Sequence, residues 1–333
     1  MTSREFETIF SDFNGLNAIV IGDVMIDSYY WGKVERISPE APVPIVSVTK
    51  KEERLGGAAN VALNIQALGA TPILCSIIGE DADGTYFLDL LDKNNQSNEG
   101  IIQSKHSITT KKTRIIGNRH QMLRVDAEDS DPVSEEETQL LFERIKRLIH
   151  KQKIDVVIFE DYDKGVITAA LIEAVVKLCK SEKIPTTVDP KKRNFNHYKG
   201  VDMFKPNLKE LSEGLKIDVD PMNKQSLKEA VQLLGQQLQH KCTLLTLSEH
   251  GILIDQANSH LIINAHARDI TDVSGAGDTV ISVASLLLAL NVSPKLIAEL
   301  SNLAGGLVCE KVGVVPIDKQ QLLEEAKTLL NNE

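Results

Sequence analysis

The sequence predicts an α/β fold on a mostly parallel sheet, and two observations predict it. Short apolar runs bounded by turn residues alternate with amphipathic stretches from one end of the chain to the other. The chain is also long enough, at 333 residues with 42% hydrophobic and 25% charged side chains, to bury a full core. That length fits one large α/β domain or two ordinary ones; the alternation passes through no internal repeat, low-complexity tract or linker, and a single domain over residues 1–333 is the expectation.

The apolar runs place strands at Ala18–Ile21, Pro72–Ile78, Asp155–Phe159, Thr186–Asp189 and Thr243–Thr246. Apolar residues at i, i+3, i+4 beside capping residues place helices at Gly57–Leu68, Glu135–His150, Ile167–Lys180, Asn207–Leu215, Gln225–Gln237, Thr279–Leu290, Pro294–Cys309 and Lys319–Leu330. Two segments break the pattern. Residues 29–49 carry three prolines among β-branched residues, and residues 107–125 alternate polar and apolar without helical period. Both read as extended ribbon off the main sheet. Because short β segments are unstable alone, they are expected to pair with each other as a β lid or with a second copy of the chain.

Composition excludes several function classes. A formal net charge of -10 argues against a nucleic-acid partner, since such proteins concentrate positive charge against the phosphate backbone. The longest apolar run, Val280 to Leu290, is too short to cross a bilayer, and the start MTSREFETIF lacks a signal-peptide stretch, so no membrane partner and a cytoplasmic location are expected. Cys75, Cys179, Cys242 and Cys309 form no CxxC pair and sit mostly in apolar runs, which reads as reduced packing residues. The eight histidines show no metal-binding spacing.

The strongest chemical signal is Asp272-Val-Ser-Gly-Ala-Gly-Asp278-Thr279, followed at once by an apolar helical run. Gly275, Ala276 and Gly277 leave backbone amides free to turn toward a bound group, and the helix start adds unpaired N–H groups and a positive dipole end. Asp278 in such a loop can take a proton from an attacking hydroxyl while the amides hold phosphoryl oxygens. The plainer alternative is a glycine turn whose Asp or Thr caps the helix. A dinucleotide fingerprint fits poorly, because the third glycine of GxGxxG is missing.

DVSGAGDT resembles the DTxGAGDT signature of the PfkB carbohydrate kinases, and other parts of their pattern follow in order across almost the whole chain. The resemblance implies a ribokinase-like three-layer α/β/α fold, ATP and Mg2+ as cofactors, and Asp278 as base. Gly22-Asp23-Val-Met-Ile-Asp27 is similar to the first strand of the family, whose aspartates bind sugar hydroxyls. Both lie past a strand end, where ligands of open α/β sheets sit; a turn or cap is the alternative. Gly56-Gly57-Ala-Ala-Asn60 is similar to the GGxxxN helix start, with Gly56 and Gly57 admitting the sugar and Asn60 bonding it, or with packing alone explaining them. Asn207 and Glu210 in KPNLKE are similar to the PNxxE element and would orient Mg2+ through water; read without the resemblance they form a helix capping box. By resemblance alone, Lys191 would approach nucleotide phosphates, Ser248 to Gly251 would border the nucleotide, and Asn302 would lie near the adenine. A monovalent cation such as K+ would map to Asp272, the Ser274 carbonyl and the backbone at Gly313.

GDVMIDSYYWGKVERISPEAPVPIVSV, EERLGGAANVALNIQALGA, FEDYDKG and KKTRIIGNRHQMLRVD resemble one branch of the family, the D-glycero-D-manno-heptose-7-phosphate kinases. The branch implies ATP-dependent phosphorylation of the anomeric hydroxyl in ADP-heptose synthesis for the lipopolysaccharide core; the lid segments' need for a pairing partner makes a homodimer through the β lid the expected assembly. No HxGH motif is present, so adenylylation is expected to need a separate nucleotidyltransferase. The chain departs from the branch at Lys205, where Thr is usual, and at Glu160, where Ser is usual; both are expected to lie clear of the base. A phosphorylated acceptor asks for cations, and Lys111, Lys112, Arg114, Arg119 and Arg124 lie in the ribbon, with Arg114 joined by Lys164 or Arg124 as the expected phosphate contacts. A charge-protected edge strand is the alternative. Other readings are a PfkB-type kinase of another sugar, sugar phosphate or nucleoside, and a non-catalytic sugar-binding regulator, which the intact Asp278 disfavours.

Overall fold

The computed structural model describes residues 2–118, 120–257 and 259–330. The chain begins with α1 (Ser3–Asp12) and β1 (Asn17–Gly22), then two long strands, β2 (Val24–Ile37) and β3 (Pro44–Gly57), and α2 (Ala58–Ala67). Next come β4 (Thr71–Gly79), α3 (Ala82–Lys93), β5 (Ile101–Ser104), β6 (Lys111–Gly117) and β7 (His120–Ala127). Alternation resumes with α4 (Glu135–Lys151), β8 (Val156–Glu160), α5 (Ala169–Glu182), β9 (Thr186–Asp189), β10 (Met203–Phe204), α6 (Leu208–Leu215), α7 (Lys224–Leu238) and β11 (Cys242–Thr246). A hairpin of β12 (Ile252–Gln256) and β13 (Ser259–Ile263) precedes α8 (Ala276–Ala289), α9 (Pro294–Cys309) and α10 (Lys319–Leu329).

Nine strands form the main sheet in the order β13-β12-β11-β10-β9-β8-β1-β4-β5, parallel from β11 to β5 and antiparallel in the hairpin. Strand alternation explains the layers. Ala18 and Val20 of β1 face a core shared with α1, α2, α8, α9 and α10, whereas Ile19 and Ile21 face one shared with α4, α5 and α7. With both faces covered, the apolar runs carry no polar alternation, which is why the strands were legible. The four cysteines are free and buried. Among the described residues no helix is long and apolar enough to cross a membrane.

The two extended segments pair with each other. A second sheet runs β3-β2-β6-β7, with β2 and β6 parallel and the outer pairs antiparallel. It extends further than the expected 29–49, because Ile26 and Leu55 at its root are buried in the main core while Ile37, Val43, Val48 and Leu123 are exposed. Sequence periodicity passed over α1, α3, β5, β10 and the β12–β13 hairpin. Helix α1 rests on a Thr2–Glu5 capping box and on Phe6, Phe10 and Phe13 at i, i+4, i+7, a stripe too brief to stand out.

Strand order reverses at β1, which pairs with β4 on one side and β8 on the other. The crevice at the carboxyl ends of such strands is where ligands of open α/β sheets bind. Asp23 follows β1 there, Glu160 ends β8 and Asp189 ends β9.

Candidate active site

Gly275 precedes α8 with φ 80°, a left-handed conformation that glycine adopts without strain, and no side chain caps the helix. Asp278, in the first turn, is buried and points elsewhere. Its Oδ2 accepts the Asn60 amide at 2.6 Å and its Oδ1 accepts the Tyr162 hydroxyl at 2.8 Å. The capping alternative for Asp278 is therefore set aside; of the three amides expected to be free, that of Ala276 donates to the Val273 carbonyl at 3.3 Å across the turn, so the glycine amides are the ones open to an anion. Asn64 Oδ1 accepts from Thr279 Oγ1 and from the Ile317 amide, so α2 and α8 are bonded together behind Asp278. Burial raises the Asp278 carboxyl above the usual range and Asp189 adds to this, while the bonds from Asn60 and Tyr162 and the charge of Lys205 act against it.

Asp23 has a different setting from the one expected. Its Oδ2 accepts the amides of Tyr162 at 2.8 Å and Lys164 at 3.2 Å, and its Oδ1 accepts that of Val166 at 3.0 Å. The carboxylate pins the loop that carries Tyr162 to Asp278, leaving little of it for a sugar hydroxyl. Burial, then the charge of Asp161, push Asp23 up to about 6 despite these donors. Asp23 and Lys164 line a cavity of about 230 Å³ together with His106, Asp129, Ser134 and Glu137.

Packing likewise explains the two glycines. A Cβ on Gly56 would collide with the Asp27 carboxylate, and one on Gly57, at φ 61°, with the Asp23 carbonyl. Asp27 is ion-paired to Arg114, whose guanidinium also lies 5.2 Å from the Tyr29 ring centre. The expected cationic pocket is thus neutralised from within. Lys111 pairs with Asp83 and Glu53, Lys112 with Asp126 and Glu128, Arg124 with Asp126, and Lys164 with Glu128. Arg119 lies outside the described residues.

Toward β11 the site changes character. Asn207 caps α6 by accepting the Glu210 amide, and Glu210 Oε2 accepts the Asn207 amide in return, a full capping box. Glu210 Oε1 takes Lys191 Nζ at 2.5 Å. Both Glu210 oxygens being engaged, a divalent ion would meet this pair only through water, which is the way the resemblance implies. Lys191 also lies 5.4 Å from the Tyr162 ring centre, beside Asp278's own partner. Ser248 and Gly251 flank the turn between β11 and β12, where a Cβ on Gly251 would strike the Ile263 carbonyl. Asn302 Nδ2 donates to the Asn264 carbonyl. Asp272 accepts the Ser274 amide at 3.0 Å and the Gly313 amide at 2.9 Å, so the three residues mapped to a monovalent cation do come together.

The expectation that Glu160 stands clear of the base needs correction. One oxygen each of Glu160, Asp189 and Asp278 lie within 4.8 Å of one another, all buried, and Lys205 Nζ bonds Asp189 Oδ2 at 2.8 Å. The sequence named the two departures from the branch pattern but not that they meet. It also gave no role to Tyr162, whose only signal was its place in FEDYDKG at a strand end, or to Arg54, which donates to the Val314 carbonyl and so ties β3 to the Asp272 loop region.

The pfkB family carbohydrate kinase description matches residues 16–320. The bifunctional protein HldE of Desulfatibacillum aliphaticivorans is 39% identical over 311 residues, 93% of this chain and 63% of that protein; HldE of Koribacter versatilis is 39% identical over 316 residues, 95% and 64%. The chain therefore spans a little under two thirds of the length of these relatives. Among solved structures, phosphofructokinase-2 from Escherichia coli in complex with potassium superposes with a TM-score of 0.76 at 18% identity, covering 93% of this chain and 98% of that one. Arabidopsis thaliana ribokinase complexed with ribose and ATP gives 0.70 at 16%, with the same coverage.

Proposed function

The chain belongs to the pfkB family of carbohydrate kinases, and we propose that within this family of ATP-dependent sugar kinases it phosphorylates the anomeric hydroxyl of D-glycero-D-manno-heptose 7-phosphate, giving the 1,7-bisphosphate for ADP-heptose and lipopolysaccharide core synthesis. The observation that carries the choice of substrate is the 39% identity to HldE proteins over 93% and 95% of the chain, together with the ISPEAPVP and FEDYDKG stretches.

The acceptor oxygen would bond to the γ-phosphorus as the bond from that phosphorus to the β–γ bridging oxygen breaks, leaving its electron pair on ADP, and Asp278 would take the hydroxyl proton. Asn60 and Tyr162 hold the carboxylate still for this, each bonded to a different oxygen. The amides of Gly275 and Gly277 would meet the phosphoryl oxygens. Candidate acceptor residues lie after β1, along β2 and at the start of α2, and candidate nucleotide residues after β9, β10 and β11; Asp278 bonds Asn60 of the first group and comes within 4.8 Å of Asp189, two residues before Lys191 of the second. A divalent ion bound with the nucleotide supplies positive charge at the β- and γ-phosphates. Glu210 would meet it through water, and Asp272 with Gly313 would hold K+. Pairing of two copies through the β3-β2-β6-β7 sheet, a cytoplasmic site of action and hand-over of the product to a separate nucleotidyltransferase complete the proposal.

ADP release from ATP should be fastest with the heptose 7-phosphate when compared with fructose 6-phosphate and ribose. Turnover of either rival with none of the heptose would leave the kinase and remove the branch. Arg114→Ala is expected to raise the KM for the sugar phosphate by about tenfold to a hundredfold, the worth of a charge-assisted bond, with the KM for ATP little altered. An unchanged sugar-phosphate KM would release Arg114 from the phosphate pocket.

A further inference from the structure

The buried cluster at the ends of β8, β9 and β10 holds more negative charge than such a space sustains. Glu160 is 0% exposed and neither of its oxygens has a hydrogen-bond partner. Asp189 Oδ1 has none either. With Asp278 these make three carboxylates whose oxygens come within 4.8 Å, and like charges that close in a dry site do not all ionise. Some group must decide which of them gives up its charge.

Two cations reach the cluster. Lys191 stands 3.9 Å from Asp189 Oδ1 but donates to Glu210 Oε1 at 2.5 Å and to the Pro190 carbonyl at 3.5 Å. Lys205 is 2% exposed, is fixed by the end of β10, and has Asp189 as its one ion-pair partner among the described residues, at 2.8 Å. It lies directly under the turn that presents the base, because a Cβ on Gly277 would stand 3.4 Å from Asp189 Oδ2 and 3.6 Å from Lys205 Nζ. With its ammonium 2.8 Å from the Asp189 carboxylate, it sets a positive charge against the one acidic neighbour that stands between it and the base. The two departures from the branch pattern, Glu160 and Lys205, are thus members of one charge network.

We propose that Lys205 is the positioning residue that keeps Asp278 in its basic form, an inference that rests on Asp278 being the base. The charged and titratable groups facing Asp278 are Glu160 and Tyr162 from the end of β8 and its loop, Asp189 at the end of β9 and Lys205 just after β10, with Lys191 after β9 and Glu210 of α6 paired to each other behind them. Lys205 offsets Asp189, and Glu160 is the member that holds a proton: burial, then Asp189 and Asp278, raise it well above the usual range. Without Lys205 the next proton taken up goes to the Asp189–Asp278 pair, and the base is lost at a pH where it now works.

The test is the acid limb of kcat against pH at saturating ATP and sugar phosphate. Lys205→Met should move that limb up by about one pH unit, lowering kcat about tenfold below it and recovering in alkali. Lys205→Arg, which keeps the charge, should leave the limb in place. Asp189→Asn should move it the other way, to lower pH, and carries the test alone if Lys205→Met does not fold. A purely structural role would lower kcat equally at all pH values; that result, or an unmoved limb in Asp189→Asn, overturns the inference. Asp278→Asn separates the two levels: if it remains active the base reading falls and this one with it, whereas an inactive Asp278→Asn beside an unmoved limb in Lys205→Met removes this inference alone.

Discussion

Asp278→Asn is expected to lower kcat by about two to four orders of magnitude, the usual contribution of a positioned general base, with small changes in the KM of either substrate. Two features make this substitution informative. The amide can keep both hydrogen bonds, since its oxygen can accept from Asn60 and its NH2 can donate to a rotated Tyr162 hydroxyl, so the site is not dismantled. Stability should hold or rise as well. A carboxyl whose folded-state proton affinity is raised by burial costs stability at any pH above its folded value, and the neutral amide carries no such cost. Loss of ADP release together with an unchanged or higher urea midpoint is the expected pair of results. Full activity in the variant would show that proton removal is not what Asp278 contributes.

The elements that carried periodic apolar faces were legible in the sequence, and so were the residues that stand next to glycine at strand or helix ends. What the sequence could not display is which of them touch. Asn60 and Asp278 belong to separate motifs 218 residues apart, and their bond follows from the packing of α2 on α8. Asn207 and Glu210 could be read either as metal ligands or as a capping box, because the same spacing serves both; the structure forms the box, and a water shell remains the route to an ion. The basic residues of β6 were visible as a run, but their carboxylate partners come from α3, β2, β3, β7 and the segment after it, and only the fold brings Asp83, Asp27, Glu53, Asp126 and Glu128 against them. Tyr162 was hidden for a different reason. Its place in FEDYDKG at a strand end marked the segment but gave the ring no role, because that role is set by a carboxylate, Asp23, at the end of the neighbouring strand β1.

That dependence gives Asp23→Ala the largest expected effect on stability. Three N–H groups, that of Val166 buried and those of Tyr162 and Lys164 partly buried, would lose their acceptor. At about 1–3 kcal/mol for each donor left unsatisfied, and with some relaxation of the loop, the cost should be about 2–5 kcal/mol, read as a lower urea midpoint at unchanged m. Activity should fall too, since Tyr162 would no longer be held against Asp278. The pH dependence has a definite sign. Burial pushes Asp23 up to about 6 in the folded chain against the ordinary aspartate value of 3.8, so between these values the folded state binds more protons than the unfolded chain. Its contribution is therefore full below about pH 4, falls as pH rises through the window to about 6, and is constant above it, a change of roughly 3 kcal/mol. Asp23→Asn keeps the shape and removes the charge, so it should flatten this slope while losing one of the three bonds; Asp23→Ala should flatten it while losing all three. At pH 5 the order of stability should be wild type, then Asp23→Asn, then Asp23→Ala. Urea titrations at pH 4, 5 and 7 would check it, and a wild-type slope retained in Asp23→Asn would assign the titration to the neighbouring acids, Asp161, Glu160 and Asp278, instead.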